Sequence, residues 1–202
     1  MIKRVSITFT LGGVILAMLW FGAYLSREPE LGRLESFSQV IRSEEGSIIN
    51  LRLTSSGHWR EQASLENVDT KLVDMLVAYE DKRFMSHFGV DPIALLRATY
   101  NSITSGRVVS GASTLTMQTV RLMHPELQKR SFMTKLKQML EALRLERHFT
   151  KKQILEAYFS LAPYGGNIEG VEAASEAWFQ KRPNQLTMSE AALLVALPQS
   201  PE

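Results

Sequence analysis

The chain contains no cysteine among its 202 residues. That absence excludes disulfide bonds, thiolate catalysis and cysteine-ligated metal sites. The sequence also has almost no excess of charge, because 23 basic and 21 acidic residues leave a net charge of only +2. No global positive field favours nucleic acid, and we expect no nucleic-acid partner. With 45% hydrophobic and 22% charged residues, the composition suits one folded domain.

One long apolar segment lies near the N-terminus, at residues 5–25, and it contains no charged residue. A helix needs about 20 such residues to cross the hydrocarbon core of a bilayer. Lys3 and Arg4 precede the segment, so we predict a cytoplasmic N-terminus at residues 1–4 and an exported remainder. A cleaved signal peptide is the alternative, but no small-residue cleavage site follows the segment. We therefore predict a single-pass transmembrane anchor.

The segments after the anchor predict a mainly α domain with a small β element at its start. Residues 26–39 form a polar juxtamembrane linker. In residues 40–61, the turn signals EEGS and SSG separate short runs of β-branched and aliphatic residues, which indicates a hairpin or a meander. From residue 67 onward, apolar residues recur at helical spacing. In the first of these helices, the predicted buried face consists of Leu72, Met75, Leu76 and Tyr79.

Several sequence signals mark where the following helices begin. Asp91 before Pro92 is an N-cap with proline in the first turn, and that helix should end near Gly106. Serine or threonine N-caps, two of them in capping boxes with a glutamine or a glutamate, predict the other starts. These caps are Ser113, Ser131, Thr150 with Gln153, and Thr187 with Glu190.

The residues best suited to chemistry lie in the segment YEDKRFMSHFG, residues 79–89. Glu80 directly follows the apolar face of its helix, so its carboxylate should be partly desolvated at the helix end. A carboxylate in that position suits a general base. The alternative is a surface glutamate that pairs with Lys82 or Arg83. His87, taken alone, is more often a capping or core histidine than a catalyst.

A second segment, GASTLTMQ at residues 111–118, is a small hydroxyl-rich turn that opens a helix. Ser113, Thr114 and the backbone amides of the first turn offer a site for an anion or a sugar hydroxyl. The alternative is a simple N-cap, because hydroxyl-bearing residues are common at helix starts.

Basic residues are concentrated in a third region, residues 129–152. Such a concentration favours an anionic partner, such as a phosphate or a lipid headgroup, or else marks a solvated helix face. The basic residues are Lys129, Arg130, Lys135, Lys137, Arg144, Arg147, Lys151 and Lys152.

In this order, the segments resemble glycosyltransferase family 51, the glycosyltransferase domain of class A penicillin-binding proteins. The family pattern E-D-x-x-F-x-x-H-x-G is met by Glu80, Asp81, Phe84, His87 and Gly89. GASTLTMQ is close to the family's G-G-S-T-x-T-x-Q, with Ala112 in place of the second glycine and Gln118 at its end. Arg121 stands where the family usually has lysine.

Further stretches extend the resemblance toward the end of the chain. In TKLKQMLEALRLE, residues 134–146, Lys135 and Glu146 match the family pattern, whereas Gln138 replaces a glutamate. A glutamine there is a feature that we associate with the penicillin-binding protein 1C branch. These three residues share a helix face with Ala142, and we expect this face to line a cleft. The later segments ILEAYFSL and LTMSEAALLVALPQSP also match and should mainly serve packing.

The resemblance implies a lysozyme-like glycosyltransferase domain over residues 40–202, incomplete at its C-terminal end and truncated before the transpeptidase domain. It implies a peptidoglycan glycosyltransferase that polymerises lipid II into β-1,4 glycan strands and releases undecaprenyl pyrophosphate. Glu80 would be the base that activates the acceptor 4-hydroxyl group in one inverting displacement. The residues expected to bind substrate are Asp81, Phe84, His87, Gly111, Ser113, Thr114, Gln118, Arg121, Lys135, Gln138 and Glu146.

Partners, cofactors and location follow from the same resemblance. We expect lipid II, the growing glycan strand, the membrane and other cell-wall synthesis proteins as partners. No cofactor is expected to be required. A divalent cation, Mg²⁺ or Mn²⁺, could also take part in the reaction. The anchor would place the enzyme in the bacterial inner (cytoplasmic) membrane, with its catalytic domain on the periplasmic side.

Two other functions remain open at this stage. A lysozyme-like lytic enzyme would use Glu80 as an acid, but a hydrolase does not need basic residues for a pyrophosphate leaving group. A catalytically silent, membrane-anchored module that binds lipid II or a cell-wall partner is favoured by Gln138 and by Ser160. The second of these replaces the family's usual asparagine.

Overall fold

The computed structural model describes residues 2–106, 112–129 and 131–199, with the side chains of the first helix described from Gly13 onward. Within these residues, eight α-helices carry most of the secondary structure. They are α1 (Ile2–Leu25), α2 (Thr70–Glu80), α3 (Pro92–Ser105), α4 (Leu115–Met123), α5 (Phe132–His148), α6 (Lys151–Leu161), α7 (Val171–Phe179) and α8 (Met188–Ala196). A short 3-10 helix at Pro125–Gln128 connects α4 to α5.

The β structure in the described part of the chain consists of two sheets of two strands each. β1 (Gln39–Arg42) and β2 (Ile48–Arg52) form an antiparallel hairpin. β3 (Trp59–Arg60) pairs in parallel with β4 (Ile168–Glu169), which lies far along the chain. The predicted hairpin and the mainly helical fold class are therefore confirmed. The alternative of a meander is wrong, because β3 pairs with β4 rather than with β2.

The predicted helix starts are confirmed with one exception. Side-chain caps begin four helices as expected, at Asp91, Ser131, Thr150 and Thr187. Ser113 is not the cap of α4, and that prediction is wrong. Thr114 takes the place, with its Oγ1 accepting a hydrogen bond from Met117 N at 3.2 Å. The Ser113 hydroxyl instead accepts a hydrogen bond from Lys135.

Helix α4 lies at the centre of the packing. All residues at 115–120 are buried, and the helix contacts both α5 and α6. Helix α2 packs against α8 and buries Leu72 and Leu76 completely. The prediction that Tyr79 shares this buried face is wrong, since its side chain is 67% exposed. Tyr79 lies on the rim of an open cavity at the end of α2.

A buried ion pair within the second sheet also binds the linker, residues 26–39. Arg60 donates to Glu169 Oε2 from Nε at 2.9 Å and from Nη2 at 2.5 Å. Its Nη1 donates to the carbonyl oxygens of Arg33 and Ser36, and Arg33 itself pairs with Glu169. Loss of one partner would leave an uncompensated buried charge. The additional contacts of Arg60 and Glu169 therefore hold the linker against the second sheet.

The predicted transmembrane anchor, residues 5–25, falls within α1. In the part of the chain that the structure describes, no helix is long and apolar enough to cross a membrane. The anchor is therefore not confirmed. The end of α1 contacts α5, because Tyr24 donates a hydrogen bond to Glu141. The Arg144 guanidinium lies 5.2 Å from the centroid of the Tyr24 ring.

Candidate active site

Glu80 is the last residue of α2, and its carboxylate binds a residue of the central helix. Gln118 Nε2 donates to Glu80 Oε2 at 2.8 Å. Gln118 is buried in α4, whereas Glu80 is only partly buried. An amide donor orients a carboxylate without neutralising its charge. Glu80 is therefore an oriented acceptor at the edge of the core, as a general base requires.

Asp81 and His87 connect the loop after α2 to the start of α4. Asp81 Oδ2 accepts hydrogen bonds from Leu115 N and from His87 Nε2, both at 2.9 Å. The two side chains are 5% and 3% exposed. The Asp81 carboxylate lies at the N-terminus of α4, where a negative charge is favoured. Both residues thus have a positioning role, and their contact with substrate stays a prediction.

Gly89 allows the same loop to approach α5. Its φ is +82°, and a Cβ added there would lie 2.5 Å from the carbonyl oxygen of Ala142. Glycine is therefore required both for the backbone angle and for the available space. Thr114 Oγ1 donates to the carbonyl oxygen of Gly89 at 2.5 Å. The two motifs recognised in the sequence meet through this hydrogen bond.

A lysine side chain contacts Ser113. The Ser113 Oγ accepts a hydrogen bond from Lys135 Nζ on α5. Burial and the charge of Arg121 lower the pKa of Lys135 from its usual value of 10.5. Arg121 lies in the last turn of α4. The charge of Arg121 thus disfavours the charged form of Lys135, an effect that a bound anion would oppose.

Glu146 is engaged inside the domain rather than at its surface. Its Oε1 accepts from Thr116 Oγ1 at 2.5 Å and from Lys151 Nζ at 2.6 Å, and its side chain is 4% exposed. Lys151 also donates to the carbonyl oxygen of His87 at 2.7 Å and lies 4.3 Å from the ring centroid of the buried Phe84. This role of Lys151 could not be predicted from the sequence, because its contacts with His87 and Phe84 join segments that lie far apart along the chain.

Gln138 has its own interior partner. Its Nε2 donates to the carbonyl oxygen of Leu127 at 2.6 Å, and the residue is 6% exposed. Ala142, one turn further along α5, is fully buried. Among the residues of the α5 face that was expected to line a cleft, Lys135 is the one that donates a hydrogen bond to Ser113. The remainder of that face packs into the domain, and substrate contact by Gln138 stays a prediction.

A cavity of about 300 Å³ opens beside Glu80. Ser113 lines one part of its wall, and Arg97 of α3 lines another. Arg83 also lines the cavity and donates from Nε to Asp91 Oδ2 at 2.9 Å. The Arg83 hydrogen bond, with further help from backbone amides, lowers the pKa of Asp91 to about 2. The cavity thus joins the candidate base to the hydroxyl-rich turn, and the sequence did not predict the contribution of α3.

Several of the described basic residues of 129–152 pair with carboxylates of the chain. Three of them are occupied by ion pairs, namely Lys151–Glu146, Lys152–Glu66 and Arg144–Glu141. Lys135 is the member that approaches Ser113. Two residues named above, Gly111 and Arg130, lie outside the described residues.

Without cysteine, carboxylate and imidazole groups are the side chains that could bind a metal ion. Across residues 2–106, 112–129 and 131–199, no group of three or more histidine, aspartate or glutamate side chains could hold a metal ion. The divalent cation expected from the resemblance stays a prediction.

Comparison with known proteins supports the resemblance. The family model described as Transglycosylase matches residues 46–202. Penicillin-binding protein 1C of Escherichia coli (strain K12) is 41% identical over 164 residues, which cover 81% of this chain and 21% of that protein. Penicillin-binding protein 1A of Aquifex aeolicus (strain VF5) is 38% identical over 142 residues, covering 70% and 19%. Penicillin-binding protein 1A of Escherichia coli (strain K12) is 34% identical over 191 residues, covering 90% and 22%. The chain spans about a fifth of the length of these relatives.

Proposed function

The chain belongs to the transglycosylase family, and we propose that it is a peptidoglycan glycosyltransferase. Its substrates are lipid II and a growing glycan strand, which it joins through a β-1,4 bond. The leaving group is undecaprenyl pyrophosphate. The family match over residues 46–202 supports the reaction class, and the contacts of Glu80 and Ser113 support the assignment of roles.

Glu80 acts as the base in the proposed reaction. It removes the proton from the 4-hydroxyl group of the acceptor sugar, whose oxygen attacks C1 of the donor sugar. The bond between C1 and the pyrophosphate oxygen breaks, and the configuration at C1 is inverted. The hydrogen bond from Gln118 supports this role, because it holds the Glu80 carboxylate in one orientation. General-base catalysis of this kind contributes about 10²- to 10⁴-fold in rate.

Arg121 and Lys135 hold the departing pyrophosphate in this proposal. Their mutual repulsion and the partial burial of Lys135 support the role, since both effects favour an anionic ligand. Ser113 accepts its hydrogen bond from Lys135, so its own hydroxyl hydrogen remains available for a phosphate oxygen. Charges that are already in place stabilise a developing anion without reorganisation during the reaction.

The proposed location is the bacterial inner membrane, with the lysozyme-like domain on the periplasmic side. Lipid II carries a polyprenyl tail, so the enzyme that uses it must work at a bilayer surface. The apolar sequence of residues 5–25 supports an anchor there. The hydrogen bond between Tyr24 and Glu141 supports this arrangement, because it joins the end of α1 to the helix that carries Lys135.

One observation carries the proposal more than any other. Glu80, at the wall of the cavity, is bound by Gln118, which is buried in the same helix that carries Arg121. The candidate base and one of the candidate pyrophosphate ligands are thus attached to one packed element. Reactants held by such an element would meet in a defined geometry.

Glycan-chain synthesis from labelled lipid II in detergent tests the proposal. The wild-type chain should form polymer, and the Glu80→Gln variant should be at least about 10²-fold slower while keeping its fold. Glu126→Gln is the matched control, because Glu126 is 70% exposed on the 3-10 helix after α4 and should keep wild-type activity. Near-wild-type synthesis by Glu80→Gln would contradict the assignment of the base.

Two companion assays, of lipid II binding and of peptidoglycan digestion, separate the two other functions. Binding of lipid II without synthesis, in both the wild type and the Glu80→Gln variant, would favour the catalytically silent module. Release of soluble fragments from preformed peptidoglycan by the wild type alone would favour the lytic enzyme.

A further inference from the structure

Gln138 makes a contact that an ionised glutamate at the same position could not make. Its Nε2 donates to the carbonyl oxygen of Leu127 at 2.6 Å in a buried environment. An ionised carboxylate has no hydrogen to donate. A glutamate there would place two acceptors against each other away from water, which is costly for both groups. The amide is therefore chemically required for this contact.

The partner of Gln138 is connected to the end of α4. Leu127 belongs to the 3-10 helix Pro125–Gln128, and its backbone N donates to the carbonyl oxygen of His124 at 2.9 Å. The backbone N of His124 donates in turn to the carbonyl oxygen of Val120 at 3.0 Å. A continuous series of hydrogen bonds thus leads from the Gln138 amide into α4. The amide ties α5 to the C-terminal end of α4.

The two tied helices each carry one of the cations proposed to hold the pyrophosphate. Arg121 lies in the last turn of α4, and Lys135 lies on α5 one turn before Gln138. The charge of Arg121 contributes to the lowered pKa of Lys135, so the two cations repel one another. Without the hydrogen bond from Gln138 to Leu127, this repulsion would favour a wider separation of the cations.

We propose that Gln138 is a positioning residue that keeps Arg121 and Lys135 at the separation needed to bind a pyrophosphate, without touching the substrate. The identity of the ligand rests on the proposed function, whereas the tie to Leu127 does not. It follows that the glutamate usual in the family at this position would weaken the site in this chain rather than restore it.

Two substitutions of Gln138 and one control test the proposal. Gln138→Met keeps the length of the side chain and loses the donor. Gln138→Glu loses the donor and adds a negative charge. Gln128→Glu adds the same charge on the exposed side of the neighbouring 3-10 helix. Each variant is compared with the wild type by equilibrium denaturation and by binding of undecaprenyl pyrophosphate in detergent micelles, at a temperature where all are folded.

Both Gln138 variants should shift the unfolding equilibrium toward the unfolded state, by roughly 5- to 150-fold. Both should also bind undecaprenyl pyrophosphate at least about fivefold more weakly. Gln128→Glu should change neither quantity. The loss of stability in Gln138→Glu should be smaller at about pH 5 than at about pH 8, because only the protonated carboxyl group can donate to Leu127.

Each other outcome overturns part of the reasoning. Reduced stability with wild-type binding in Gln138→Met would make Gln138 purely structural and overturn the positioning role. Wild-type stability and binding in Gln138→Glu would overturn the tie itself. If the wild type fails to bind undecaprenyl pyrophosphate while the Gln138 variants still lose stability, the proposed function fails together with the positioning role, and only the tie stands.

Discussion

Replacing Asp81 with asparagine tests whether one buried carboxylate holds the candidate site together. Asp81 Oδ2 accepts from Leu115 N and His87 Nε2, both at 2.9 Å, and its side chain is 5% exposed. Asparagine has nearly the same shape and retains one acceptor oxygen, but it lacks the charge. The substitution therefore removes the electrostatic part of these contacts and little of the packing.

The magnitude follows from the two hydrogen bonds of Asp81. A hydrogen bond to an ionised group contributes about 1.5–3 kcal/mol, whereas a neutral one contributes about 1 kcal/mol. Both donors bind the same oxygen, Oδ2, so the amide oxygen of asparagine can retain both hydrogen bonds in neutral form. The loss is then twice the difference between a charged and a neutral hydrogen bond, which is about 0.5–2 kcal/mol. We expect the free energy of unfolding to fall by about 1–4 kcal/mol.

Urea denaturation at about neutral pH measures this loss. Asp74→Asn is the control, since Asp74 lies exposed on the same helix, α2, and should change the stability by less than about 0.5 kcal/mol. A loss in Asp81→Asn no larger than in the control would refute the reasoning. Glycan synthesis should also decrease in Asp81→Asn, because Gln118 lies on the helix whose start Asp81 holds.

Three further substitutions address other parts of the structure. Gly89→Ala should cost about 2 kcal/mol or more in denaturation experiments, because the added Cβ would lie 2.5 Å from the carbonyl oxygen of Ala142 at a φ of +82°. Burial and a neighbouring carboxylate raise the pKa of Glu172 from 4.5 to about 7. The folded chain therefore holds the Glu172 proton more tightly than the unfolded chain does, and this stabilises the fold only while the carboxyl group is protonated. The free energy of unfolding of the wild type should fall relative to that of Glu172→Gln as the pH rises from about 5 to 8. Lys135→Met should weaken binding of undecaprenyl pyrophosphate about tenfold or more in calorimetry. The exposed control Lys137→Met should bind normally.

The controls decide what these results mean. Gly57→Ala has a similar φ of +79° with nothing within 4 Å of the added Cβ, so it measures the backbone cost alone. Equal losses of stability in Gly57→Ala and Gly89→Ala would show that the close approach of Gly89 to α5 adds no steric cost. Parallel pH profiles for the wild type and Glu172→Gln would contradict the effect of burial on that carboxyl group. Unchanged binding by Lys135→Met would remove Lys135 from the proposed pyrophosphate site.

Structural features that depend only on residues close together along the chain could be predicted from the sequence. The caps at Asp91, Ser131 and Thr187 involve only residues within one turn, and all three form as expected. Ser113 shows where this reasoning ends. Either Ser113 or the threonine after it could cap α4, and the choice is coupled to a hydrogen bond with Lys135 on another helix.

Contacts between distant segments could not be predicted by the same reasoning. The buried pair Arg60–Glu169 joins two strands of two residues each, which are too short to show a periodic pattern. A helical wheel correctly groups Gln138 and Glu146 on one face of α5. It does not say which element covers that face, and the Glu146 carboxylate is bound by Thr116 of α4 and by Lys151 of α6.

The proposed chemistry depends on α4, a buried helix of nine residues to which much of the site is attached. Gln118 binds Glu80, the first amide of the helix binds Asp81, and Arg121 lies in its last turn. So short a helix is not stable alone, so its position depends on packing against α5 and α6. A close-packed interior transmits small displacements to its neighbours. Substitutions at Gly89 or Gln138, which lie away from the proposed ligand, should therefore alter its binding.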